Sequence, residues 1–199
     1  MSVIILGASG FAIELSALVR AAGGTVAGFV APQGGDLPAP WLGSDEVLAD
    51  AAPDAVVLVA VGDPAARARL SDMVQARGRK LATFVSPGAF VADDAVLEDG
   101  VMVYPNATVH ARVQLGRGVL VNSNASVGHE TRIGAFSNVG PGVSLGGRCE
   151  IGSGVHLGIG SSMLEGLVIA PGTMIGAGAV VTRSIEAAGT YAGVPARKL

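Results

Sequence analysis

From residue 91 onward the chain repeats with a period of six. Reading every sixth residue gives Val91, Leu97, Val103, Val109, Leu115, Val121, Val127, Ile133, Val139, Leu145, Ile151, Leu157, Met163, Ile169, Ile175 and Val181, an aliphatic side chain or Met without a miss. Neither a helix nor an alternating strand repeats at this interval. Four residues after each of these knobs stands a second residue, mostly small or apolar, from Ala95, Val101 and Ala107 to Cys149, Val155 and Ser161. The position directly after the knob is often glycine: Gly116, Gly128, Gly134, Gly140, Gly146, Gly152, Gly158 and Gly176. An inward knob, a second inward residue and a corner that excludes bulk describe a parallel β-helix of hexapeptides. If three hexads close a triangular coil, residues 18 apart stack, and the repeats make about five coils in a prism ~25 Å tall. Asn106 and Asn124 then form a corner ladder.

Residues 2–84 follow another rule, with β-type and helical patterns alternating. Val3 to Leu6 reads as a strand, Gly7-Ala8-Ser9-Gly10 as a tight turn, and Phe11 to Ala22 as a helix with Phe11, Leu15, Leu18 and Val19 on one face. Thr25 to Val30 is a second strand. After a Pro/Gly-rich loop, Ser44 is the expected N-cap of a helix over Asp45 to Ala51, and the unbroken apolar run Ala55 to Val61 is the pattern of a central parallel strand. Pro64 to Gln75 reads as a helix and Leu81 to Val85 as a fourth strand. The β-α-β order predicts a small Rossmann-like parallel sheet over residues 1–86, followed by the β-helix and a terminal cap over 87–199.

Composition narrows the function. Of 199 residues 30 are Gly, which the corners explain, and the net charge of −3 offers no basic surface for nucleic acid. The run Ala55 to Val61 is far short of the ~20 apolar residues of a membrane span. The first residues carry no basic segment of the kind that opens a secretory signal, so the cytoplasm is the expected compartment. The single cysteine, Cys149, falls on an inward position and is expected to be inert. His110, His129 and His156 lie at different hexad positions without a close pair, so no metal is expected.

Gly7-Ala8-Ser9-Gly10, Leu42-Gly43-Ser44, Val61-Gly62-Asp63, Asn122 to Glu130 and Gly193-Val194-Pro195-Ala196 together resemble the hexapeptide-repeat acyltransferases of the sialic-acid O-acetyltransferase type, in particular the nucleotide-linked amino-sugar N-acetyltransferases. The resemblance covers the whole chain. It implies a left-handed coil, a homotrimer with sites between subunits, and acetyl-coenzyme A as donor. By the same resemblance His129 is the general base and Glu130 its acidic neighbour, suiting an imidazole that takes a proton near pH 7. Coenzyme A is expected along the coil near Asn138, Gly147, Ile159 and Ala177, with Arg197 and Lys198 towards its phosphates. Asn138 stands where relatives commonly have a second histidine, and it cannot titrate.

The nucleotide-linked amino sugar is expected at Gly7, Ser9, Gly10, Phe11, Gly62 and Asp63. The loop offers backbone N–H groups to an anion, but its glycine pattern is incomplete and no acid ends the second strand, which disfavours NAD. Phe11 and Ala12 replace the family's usual His and Gly. O-acetylation or transfer of a longer acyl group remains open because the same base serves a hydroxyl acceptor. A non-catalytic nucleotide-sugar-binding protein is the rival from another class.

Overall fold

Through the hexad repeats the backbone hydrogen bonds run from coil to coil, so the short strands pair with those 18 residues before and after them. Ser126 registers with Thr108 and Ser144, and Val127 with Val109 and Leu145. The structure, a computed structural model, describes all residues 1–199 and divides into two compact units, Met1–Ser86 and Pro87–Leu199.

Three parallel sheets form the faces of the second unit. The first face stacks Val96–Leu97, Gln114–Leu115, Arg132–Ile133, Glu150–Ile151 and Val168–Ile169; the second includes Met102–Val103, Leu120–Val121, Asn138–Val139, His156–Leu157 and Met174–Ile175; the third runs from Phe90–Val91 through Ser126–Val127 to Val180–Val181. Edge A joins the third face to the first, edge B the first to the second, and edge C the second to the third. The hexad knobs from Val103 to Val181 are buried, while Val91 and Leu97, in the first coil, are half-buried against them. Burying each such side chain stabilises by ~1.5–3 kcal/mol. The polar second inward residue Ser137 is satisfied: its Oγ donates to the Gly152 carbonyl (2.8 Å) and accepts the Val155 N–H (3.0 Å).

The edges use glycine in two ways. A Cβ on Gly128 would lie 2.5 Å from the Gly146 carbonyl carbon in the next coil, so the position after the knob is small because coils stack tightly there. Two residues later the backbone turns left-handed, and this position holds Asn106, Arg112, Asn124, Glu130, Phe136 and Arg148 at φ between 56° and 60° as well as glycines. The ~1–2 kcal/mol cost of that conformation for an L residue is offset by a coil-to-coil bond, as in Glu130, whose N–H donates to the Ala111 carbonyl at 2.9 Å. The chain ends the second face with Thr190–Ala192, parallel to Met174–Ile175, and then Arg197–Lys198, antiparallel to it at the margin of the sheet.

The first unit is a parallel sheet of β1 (Ser2–Leu6), β2 (Thr25–Val30), β3 (Trp41–Gly43) and β4 (Val56–Val59), in the order β3-β2-β1-β4, with α1 (Gly10–Ala21) and α2 (Pro64–Ala76). β3 was not expected. It forms because the Phe29 N–H donates to the Pro40 carbonyl (2.8 Å) and the Ala31 N–H to that of Gly43 (3.0 Å). Gly28 permits this approach, since a Cβ there would meet the Pro40 oxygen at 2.6 Å. The expected helix after Ser44 is a 3-10 turn, Asp45–Ala49, whose N-cap side chain makes no capping bond. The expected strand over Leu81 to Val85 reduces to one bridge from Leu81 to Val57 and the short pair Phe84–Val85, so β4 lies next to the margin of the sheet rather than at its centre. Arg79 fixes this region, its guanidinium donating to the carbonyls of Leu48 (2.9 Å), Ala51 (2.8 Å), Ala52 (2.9 Å) and Ala55 (2.6 Å). No helix is long and apolar enough to cross a membrane.

Candidate active site

His129 and Glu130 are consecutive on edge A. Glu130 is one of the left-handed residues, which turns its side chain outward beside the imidazole, and Oε2 lies 3.2 Å from His129 Nδ1. A carboxylate only accepts, so Nδ1 carries the proton and Nε2 keeps its lone pair. Arg112, one coil earlier in the column of Glu130, approaches Oε1 at 3.6 Å; with both side chains largely in water this contact orients more than it stabilises. One coil later in the column of His129 is Gly147. A Cβ there would sit 2.5 Å from Nε2 and 2.6 Å from Cε1 of His129, so the bare backbone of Gly147 is the floor on which the ring rests. The 18-residue step from His129 to Gly147 was available in the sequence as a signal for this contact.

The other expected coenzyme residues lie elsewhere on the prism. Ile159, 63% exposed, and the exposed Ala177 stack on edge C. Asn138 lies on the second face at 5% exposure, its Nδ2 donating to His156 Nδ1 at 3.3 Å. His156 is therefore half-buried and hydrogen-bonded rather than a solvated side chain. One chain thus keeps His129 and Gly147 on one edge and Ile159 and Ala177 on another. Cys149 is buried, as its inward position requires; its Sγ donates to the Gly146 carbonyl at 3.3 Å, and burial pushes the thiol pKa up.

Further along edge A, Arg183 occupies the column of His129 three coils on, ~14 Å along the axis. It lines a cavity of about 390 Å³ with Thr182, Ser184, Tyr191, Arg197 and Lys198. The larger groove of about 500 Å³ on the first face, crossed by the Arg132–Glu150 pair at 3.9 Å, contains none of the catalytic, coenzyme or acceptor residues expected from the sequence. No three His, Cys, Asp or Glu side chains converge anywhere.

In the first unit the strand order changes direction at β1: β2 and β3 follow on one side and β4 lies on the other. Ligands of open parallel sheets bind at such a switch, beyond the carboxyl ends of the strands. Gly7 is there, at φ 127°, and a Cβ on it would meet the Ala60 oxygen at 2.8 Å, so its smallness is required by β4. Gly10 and Gly62 face open space. Ser9 caps α1 through its backbone, leaving its hydroxyl out of the capping bond, and Phe11 is half-buried beside it. Asp63 Oδ1 accepts the Ala66 N–H at 2.7 Å, the N-cap of α2, so part of its carboxylate is already engaged. The loop before it is clamped by buried Arg67, which donates to the carbonyls of Val61 (2.9 Å) and Gly62 (3.1 Å); desolvation lowers its pKa to about 10, against the attraction of Asp63. A cavity of about 240 Å³ opens here between Gly7, Val61 and α2. Its charged residues, Asp45 and Arg69, were not singled out from the sequence, where nothing brings them together.

No protein-family model and no curated protein matches the sequence. Solved structures do. The acetyltransferase domain of PglB from Neisseria gonorrhoeae FA1090 is 30% identical, over 100% of this chain and 99% of that one, with a TM-score of 0.95. PerB from Caulobacter crescentus, solved in complex with CoA and GDP-perosamine, is 31% identical over 100% and 97%, with a TM-score of 0.96. WeeI from Acinetobacter baumannii AYE is 25% identical over the whole of both chains, with a TM-score of 0.93. With a Rossmann-like sheet leading into a left-handed β-helix, and identity at this level from end to end, the chain belongs to the hexapeptide-repeat sugar N-acetyltransferases.

Proposed function

We propose that the protein is an acetyl-coenzyme A-dependent N-acetyltransferase acting on the amino group of a nucleotide-linked amino sugar, as a cytoplasmic homotrimer. The observation that carries this reading is the His129–Glu130 pair over Gly147, in a chain aligned throughout with PerB, whose structure holds CoA and GDP-perosamine. Nε2 of His129 accepts the proton of the attacking amine as the new C–N bond forms. The thioester C–S bond breaks, and the imidazolium returns that proton to the departing thiolate. Glu130, bonded to Nδ1–H, favours the imidazolium while it lasts. Gly147 supports the imidazole from below, because only a residue without a Cβ leaves space there for the ring.

The division of residues between edges supports the trimer. Edge A carries His129 and Gly147 and edge C carries Ile159 and Ala177, so a groove lined by both requires edge A of one copy against edge C of the next. The exposed Ile159 and Leu164, on edges C and A, suit that burial. Asn138 contributes by holding His156, three residues before Ile159. The pantetheine arm runs from His129 towards the cavity of Arg183, Arg197 and Lys198, whose charges meet the coenzyme phosphates. In the first unit Gly7, Ser9, Gly10, Phe11, Gly62 and Asp63 receive the acceptor nucleotide, with the open space at Gly10 and Gly62 admitting its phosphates.

The test is incubation with acetyl-coenzyme A and a panel of UDP-, GDP- and dTDP-linked amino sugars, following release of free thiol. Turnover with one amino sugar and none with its hydroxyl counterpart is expected. Thiol release with the hydroxyl sugar alone would overturn the assignment to nitrogen.

A further inference from the structure

Two imidazoles of the solenoid are held by hydrogen bonds of opposite sense. His129 meets a carboxylate, with Glu130 Oε2 at 3.2 Å from Nδ1, so its proton is on Nδ1 and Nε2 is a bare acceptor. His156 meets an amide nitrogen, with Asn138 Nδ2 at 3.3 Å from Nδ1. An amide nitrogen only donates, so Nδ1 of His156 accepts and the proton of the neutral ring is on Nε2. One ring is thus set to take a proton and the other to offer a hydrogen bond. Asn138 is buried and in strand register with His156 one coil earlier, which fixes that tautomer. Along the same column Met102, Leu120 and Asn138 are buried, His156 is half-buried and Met174 is exposed, so His156 stands where the column emerges into solvent.

Resting on the reading of edge A of one copy against edge C of the next as the coenzyme groove, we propose that His156 positions the pantetheine arm, its Nε2–H donating to the amide carbonyl nearest the sulfur. His156 lies three residues before Ile159 of edge C, so it comes from the copy that faces His129 and not from the copy that supplies it. With the copies side by side about a threefold axis, His156 is one and a half coils beyond His129 along the prism, ~7 Å, in the direction of Arg183. An extended arm covers a similar ~7 Å from the thioester carbon, through sulfur, two methylenes and the amide nitrogen, to that carbonyl oxygen. With the thioester level with Nε2 of His129, the amide reaches His156. The opposite tautomer would set a lone pair against the carbonyl oxygen, and the bond from Asn138 excludes it. A contact this far from the reacting bond is the same before and during transfer, so it serves coenzyme affinity and leaves the chemical step to His129.

Calorimetric titration of the full chain with coenzyme A tests this through three substitutions. Glutamine carries an amide N–H out to the place of Nε2, whereas asparagine reaches only the place of Nδ1, where it keeps the bond to Asn138 and loses the outer donor. His156→Ala and His156→Asn are expected to raise Kd ~three- to tenfold, the range for one neutral hydrogen bond, and His156→Gln to stay within ~twofold of the wild type. In turnover the first two should raise the KM for acetyl-coenzyme A and leave kcat unchanged. Near-wild-type affinity in His156→Asn with a loss in His156→Gln would show that only the bond to Asn138 matters, and overturns the proposal. Unchanged affinity in all three also overturns it, and either result leaves the groove standing. Failure of the wild type to bind coenzyme A overturns both.

Discussion

In the hexad repeats of the solenoid a strand's partners are 18 residues away, whereas in the first unit Ser2 pairs with Thr25 and Val3 with Val56, at separations set by intervening helices and loops. The two units are built from the same parallel hydrogen bond, but only the first must specify each strand separately. Repetition makes the solenoid tolerant: the left-handed position of the hexad accepts Asn, Arg, Glu, Phe or Gly, because the neighbouring coil holds the backbone whichever is present. Gly7 has no such freedom, since its φ and the Ala60 oxygen both depend on how β1 meets β4. A periodic scaffold therefore offers many equivalent surface positions on which chemistry can be placed, and an irregular one offers a single crevice.

The largest expected effect is on the chemistry assigned to the solenoid. His129→Ala should lower kcat by ~10²–10⁴ with coenzyme A binding and the nucleotide-sugar KM nearly unchanged, measured by steady-state kinetics and by titration of the ligand. A comparable rise in the sugar KM would break the separation between units.

Subunit mixing comes next. His129→Ala and Ile159→Arg spoil different edges, and each homotrimer should be nearly inactive. Trimers reassembled from equal amounts should recover about a quarter of wild-type activity, the fraction of A–C junctions in which both edges are intact. No recovery, with mixed trimers verified by mass, would place both edges' contributions within one copy.

The two kinds of glycine can be set against each other. Gly7→Ala should destabilise the first unit by ~1–3 kcal/mol and raise the nucleotide-sugar KM. Gly142→Asn should change the stability read by denaturation by no more than ~0.5 kcal/mol, because its surroundings are open and Asn124, one coil earlier, already adopts that conformation.

The smallest effect concerns Cys149. Burial raises its folded pKa above its ordinary value near 9.0, so the thiol's contribution to stability is complete below that value and is lost as pH rises through the higher folded one. As pH rises above about 9.0 the wild type should therefore lose more stability than Cys149→Ala, as read by urea denaturation at each pH.

The comparison also explains what could be read in the sequence. The inward positions, the coil spacing and the tightly stacked corner glycines follow from a fixed step, and so does the placement of Gly147 beneath His129 once 18 is added to 129. The left-handed corners were invisible, because dissimilar side chains occupy them. β3 was hidden in a Pro/Gly-rich loop, and its pairing depends on the Pro40 carbonyl meeting β2 across Gly28. Asp45 and Arg69 are brought to one cavity by the crossing of a 3-10 turn and a helix, which no local pattern encodes.

The antiparallel turn that ends the second face has a further consequence. A stack of parallel coils presents, at its last rung, the same unpaired N–H and C=O groups that recruited each earlier rung, and a second molecule with the same spacing is a natural recruit. Arg197–Lys198 runs against the direction of every other strand in that sheet and occupies this rung with two exposed cations. Direction and charge together make the final strand a poor template. On this face the strand that ends the sheet thus also discourages end-to-end pairing with a second molecule.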